Sequence, residues 1–150
     1  MKPKIILFIL VLGSCRKYDE GGKYYKAGER LQGTWTLRAF TVDGEDSLSA
    51  LSTCLVNNNN IRFITKPGHG LSRNSAFFVK AGNAPYCWEG ACDLTNNKNT
   101  LTFNSSYGSS LFYPFCMDNR KWDIIKLTES ELKLSRVSVQ GYTYVIRMGK

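Results

Sequence analysis

Five cysteines are the side chains of this chain best suited to chemistry, and their surroundings divide them into one and four. Cys15 directly follows the small pair Gly13-Ser14 at the end of an apolar run, where the extended backbone is open to a peptidase and the thiol to acylglycerol attachment. Cys54, Cys87, Cys92 and Cys116 remain. In an oxidising compartment an even set in a small domain reads as two disulfides, with three pairings open. The local pair Cys87–Cys92 with Cys54–Cys116 is the preferred one. In the chain-entropy picture the short loop contributes roughly 2 kcal/mol and the long one about 4 kcal/mol. Four residues separate Cys87 from Cys92, so the segment is not the Cys-x-x-Cys of redox enzymes or zinc ribbons. His69, the one histidine, lies in the turn Lys66-Pro67-Gly68-His69-Gly70 and cannot complete a metal site. Asp43, Glu45 and Asp46 cluster beside turn residues and read as solvated loop charge or a helix cap. No paired-carboxylate, Ser-His or Cys-His arrangement emerges, so the expectation is a non-enzymatic protein without cofactor or metal.

The first residues place Cys15 in context. Lys2 and Lys4 form a basic start, and Ile5 to Leu12 is an unbroken apolar run. As helix, eight residues span about 12 Å against roughly 30 Å of bilayer core, which fits a signal-peptide core and not a membrane span. Leu12-Gly13-Ser14-Cys15 resembles the lipobox of bacterial lipoproteins. The resemblance implies cleavage after residue 14 and a Cys15 bearing diacylglycerol and an acyl chain of the palmitate type. Two or three chains anchor a protein stably where one does not. An arginine at position 16 implies, by the sorting behaviour of enterobacterial lipoproteins, delivery to the outer membrane. Arg16-Lys17-Tyr18-Asp19-Glu20 also loosely resembles the surface-export tag of Bacteroidetes lipoproteins, with Tyr18 interrupting it, so the periplasmic face and the cell surface both stay open.

With 150 residues the chain is sized for one domain, and 43 % apolar types suffice for a core. The formal charge is +8, from 20 Lys+Arg against 12 Asp+Glu, and cleavage would remove two of the lysines. The cations are spread along the chain, and the compartment is wrong for nucleic acid. Attraction to lipid head groups or acidic glycans, or solubility alone, accounts for the balance.

Residues 15–30 are polar and charged without apolar pattern, and read as a lipidated tether ahead of a domain over 31–150. A strand begins at Gly33, with Trp35, Leu37 and Ala39 on one face. The phase shifts at Phe40 and Val42, predicting a bulge or bend, and Asp43-Gly44 predicts a turn. The long connection 43–60 holds a helical turn at Ser47–Leu51. Short strands follow at Ile61–Thr65, Ala76–Lys80, Tyr86–Leu94, Thr100–Asn104, Leu111–Phe115, 122–127, 132–137 and 142–148. The expected class is all-β, a meandering antiparallel barrel, with a β-sandwich as the alternative.

Leu31-Gln32-Gly33-Thr34-Trp35, with 122–128 and Glu131-Leu132-Lys133-Leu134, resembles the lipocalin-like lipoproteins common in Bacteroidetes. The resemblance implies an up-and-down eight-stranded barrel. It implies that Trp35 closes the barrel's bottom under a cation from the last strand, for which Arg147 is the candidate. It further implies a small hydrophobic ligand inside, with 43–60 as a lid. Phe77, Val79, Phe103, Phe112, Tyr142 and Tyr144 are candidate cavity residues, or else core. A filled barrel presenting loops to an unknown protein of the envelope is the alternative function.

Overall fold

The computed structural model describes residues 18–22, 26–66, 75–82, 88–95, 99–104, 113–115 and 120–150. Nine strands form one antiparallel sheet: β1 (Gly33–Val42), β2 (Glu45–Asp46), β3 (Asn60–Thr65), β4 (Ser75–Ala81), β5 (Trp88–Thr95), β6 (Thr100–Asn104), β7 (Lys121–Leu127), β8 (Glu131–Val137) and β9 (Thr143–Gly149). Each strand from β3 to β8 pairs with the next in sequence, and β1 pairs with both β3 and β9. That last pairing closes eight strands into an up-and-down barrel, so no long edge is left open. The ninth, two-residue β2 lies outside the ring, paired to the end of β1.

Period-2 patterning puts the apolar residues inside. Along β8, Leu132, Leu134 and Arg136 are buried, and along β9 Tyr144, Ile146 and Met148. The irregularity expected in β1 is a bulge: the register against β9 slips between Leu37 and Ala39. One residue, Arg38, is spent in the slip, so Trp35 and Leu37 point inward and then Phe40 does. Ala39, expected on the inner face, therefore stands off it. Asp43 and Gly44 both have positive φ, 50° and 88°, and form the two-residue turn between β1 and β2.

Two expectations fail. Tyr113–Phe115, expected at the end of a strand, is a turn, and Pro114 has no N–H for a ladder bond. The supposed tether is folded wherever it is described. Tyr18 is buried, and α1 (Ala27–Leu31) packs Ala27 and Leu31 into the core. The polar composition of 15–30 hid this, because only a few apolar side chains in it do the packing.

The meander gives the barrel two unlike ends. The short turn 128–130, the start of β1, the end of β9 and α1 meet at one end. The long connection 43–59 and the β8–β9 turn lie at the other, the mouth. That connection carries a 3-10 turn (Leu48–Ala50), within the expected helical segment, and a short helix α2 (Thr53–Asn57).

Candidate functional site

At the closed end Trp35 is fully buried, and its indole N–H donates to the Leu31 carbonyl at 2.7 Å. The cation over its ring is Lys150 and not Arg147. Lys150 Nζ stands 4.6 Å from the ring centroid and donates to the carbonyls of Arg30 (2.6 Å) and Gln32 (2.9 Å). These carbonyls end α1, where the helix has no partners of its own for them. Burial lowers the Lys150 pKa from its ordinary 10.5, with Glu129 opposing. Arg147 lies between the inward-facing Ile146 and Met148, so alternation turns it outward. There its side chain is 58 % exposed and 3.5 Å from Glu131.

Glu131 also accepts a 2.7 Å hydrogen bond from Lys126. That bond first, and the Lys126 and Arg147 charges with it, hold the carboxyl below its ordinary 4.5 against a smaller effect of burial. A carboxylate with a lowered folded pKa adds stability above its unfolded pKa, and loses it as pH falls through the folded value. Acid titration followed by urea unfolding should therefore show a loss beginning below about pH 4.5 that Glu131→Gln lacks. The pair is partly solvated, so the effect is small.

The barrel interior is built from rings. Phe77 meets Phe63 edge-on at 6.3 Å, Phe63 meets Phe103 at 6.4 Å, Phe103 meets Phe115 at 5.0 Å, and Phe115 meets Trp122 at 5.6 Å. Phe115 reaches this run from the β6–β7 connection, and its carbonyl accepts the Trp122 indole N–H at 3.3 Å. Beyond Trp122 comes Arg136, 5 % exposed, its guanidinium 5.2 Å from the ring centroids of both Trp122 and Tyr144. Tyr144 stacks on Phe40 at 6.0 Å, and Tyr113 meets Phe40 edge-on at 6.2 Å. Burial first, then the neighbouring Tyr144 phenol and its hydrogen bond, raise the Tyr113 pKa above 10.0. The Tyr113 phenol is therefore neutral near pH 7.

Of the expected cavity residues, Phe77, Val79, Phe103 and Tyr144 are inside and buried. Tyr142 is not: it lies in the β8–β9 turn, half exposed, one residue short of the strand. Phe112 lies outside the described residues, as do Cys15, Cys87, Cys116 and His69. Arg136, Tyr113 and Lys150 were missed. For Arg136 the signal was available, since it continues the inward alternation of Leu132 and Leu134.

The local Cys87–Cys92 pair is overturned. Cys92 is a buried thiol facing the interior from β5, between Phe77 and Phe103 on the neighbouring strands. The four steps of extended strand from Trp88 to Cys92 cover about 13 Å, and one residue back can recover only about 4 Å. A disulfide needs Cα atoms within about 7 Å. Cys54, buried in α2, is disulfide-bonded, with its partner outside the described residues. Among the described residues no three His, Cys, Asp or Glu side chains gather as a metal site.

At the mouth the surface changes character. Six large apolar side chains are exposed among the described residues, and five of them ring this end: Leu48, Val56, Val137, Val139 and Tyr142. The sixth, Phe78, is on the outer wall under the Lys66 ammonium. An open groove of about 370 Å³ lies between β2, the 3-10 turn and α2, lined by Asp46, Leu48, Ser49 and Val56.

No protein-family model matches the chain, and no curated protein does. Among solved structures, japanin from Rhipicephalus appendiculatus, in a crystal form bound to cholesterol, is similar over 79 % of this chain and 74 % of that one. The identity is 13 % and the TM-score 0.45. The strand order itself defines the fold as a lipocalin-like, eight-stranded up-and-down barrel.

Proposed function

We propose that this is a lipoprotein of the bacterial envelope, anchored through Cys15 to the outer membrane, whose barrel holds a small hydrophobic molecule at its mouth. The concentration of exposed apolar side chains at that end, around a groove in the lid, carries the reading. A groove of this volume falls within the range of small-molecule sites. The lower interior is occupied by the protein's own rings, which directs a ligand to the mouth. Binding and not catalysis is the activity proposed.

Native mass spectrometry with lipid extraction on the form beginning at Arg16, made in an oxidising compartment, tests it. A stoichiometric hydrophobic molecule is expected to co-purify. Leu48→Asp combined with Val56→Asp should abolish its retention while leaving the unfolding midpoint nearly unchanged, because both side chains are substantially exposed. A clean apo mass with no uptake of a hydrophobic fluorescent probe would contradict the proposal. That outcome would favour a filled barrel offering the same rim to another protein of the envelope, a reading favoured by the unbroken run of rings from Phe77 to Trp122.

A further inference from the structure

The segment nearest Cys15 is bound to one end of the barrel. Tyr18 is 3 % exposed, and residues 18–22 form a turn closed by Gly21 N–H to Tyr18 O (3.0 Å) and Tyr18 N–H to Gly22 O (3.1 Å). The turn is fastened to the lower part of β7, where Glu20 N–H donates to Ile125 O (2.9 Å) and Leu127 N–H donates to Gly21 O (3.2 Å). Glu20 also takes a 2.7 Å ion pair with Lys133 on β8. Gly22 has φ +91°, and a Cβ there would run into the Leu127 carbonyl, so glycine is what allows the approach.

From these contacts we infer that the closed end of the barrel rests on the head groups of the anchoring leaflet, with the mouth and its apolar rim turned away. The inference rests on the proposed lipid at Cys15. Two residues separate Cys15 from Tyr18, and the three steps between them reach at most about 11 Å. The six steps of β7 from Leu127 to Lys121 at the mouth cover about 20 Å. A lipid on that short leash stays near the end where Tyr18 is fastened and falls short of the rim. Charge also favours this end: Lys26 and Glu129 are exposed there, whereas five of the six large apolar side chains exposed among the described residues stand at the mouth, the sixth being Phe78 on the outer wall. The mouth accordingly receives its ligand from the aqueous compartment and does not draw it from the leaflet that holds the anchor.

The test uses the processed, full mature protein on vesicles of phosphatidylethanolamine and phosphatidylglycerol containing a head-group nitroxide lipid. A fluorophore is placed by an azide-bearing residue at Glu129, in the closed-end turn, or at Val139, in the turn at the mouth. The nitroxide should quench the label at position 129 several-fold more than the one at 139. Gly22→Val should erase that difference while the protein stays lipidated and folded, because the turn can no longer seat on β7. Equal quenching in the unsubstituted protein, or stronger quenching at 139, overturns the orientation. Mass spectrometry of the same sample separates the two readings. A Cys15 without diacylglycerol refutes the anchor and the orientation with it, whereas a lipidated protein with equal quenching refutes the orientation alone.

Discussion

Trp35→Ala should cost about 3–5 kcal/mol of stability, the usual loss when a large aromatic is cut from a close-packed core. For a domain of this size that lowers the thermal midpoint by something like 10–20 °C. The indole is fully buried, and it joins three pieces of chain. Its N–H holds the last carbonyl of α1, its ring carries the Lys150 ammonium, and its strand begins the barrel. Removing it leaves a hole and also strands the Leu31 carbonyl. Lys150→Met should cost about 1 kcal/mol, because the ring contact and two hydrogen bonds are lost at a partly hydrated position. Arg147→Met should change stability by less than about 0.5 kcal/mol, since the side chain makes one solvated ion pair. Urea unfolding of the three variants gives the ranking. If Arg147→Met proved as costly as Lys150→Met, the assignment of Lys150 as the closing cation would be wrong.

That ranking shows what alternation in the sequence can and cannot reach. Along β9 the apolar phase of Tyr144, Ile146 and Met148 already requires Arg147 to face outward, so it was unavailable to a buried ring. The family resemblance supplied the idea of a closing cation, and strand phase should have corrected its address. An irregularity in β1 was legible because two apolar phases in one strand require a bulge or a bend, and the register slip at Arg38 is the bulge. The turn at Tyr113–Phe115 was not legible, since a chain segment that enters a barrel and a strand that walls it share the same composition. The docking of Tyr18 was hidden for another reason: it depends on backbone bonds to β7 and on the bare Cα of Gly22, and neither has a periodicity. The Cys87–Cys92 pair failed on distance alone. Five residues along a strand look close in sequence and are far apart in space.

Phe103→Ala is the change that separates a filled barrel from a hollow one. Phe103 is fully buried, with Phe115 at 5.0 Å on one side and Phe63 at 6.4 Å on the other, and its cross-strand neighbour is the small Cys92. If these rings fill the interior, truncation breaks the run from Phe77 to Trp122 and should cost about 3–5 kcal/mol. It should also open an apolar void on the order of 100 Å³, dry and large enough to take benzene or xenon. The substituted protein should bind such a probe in its interior, and the unsubstituted protein should not. Ligand retained at the mouth should survive, because the groove there is lined by Asp46, Leu48, Ser49 and Val56 and not by Phe103. A hollow interior predicts the reverse. Phe103 would then line existing space, its loss would cost well under the 3–5 kcal/mol of a packed ring, and the unsubstituted barrel would already take up the probe. Measuring probe uptake and unfolding on the same pair of proteins therefore decides whether the rings are the contents of the barrel or only its walls.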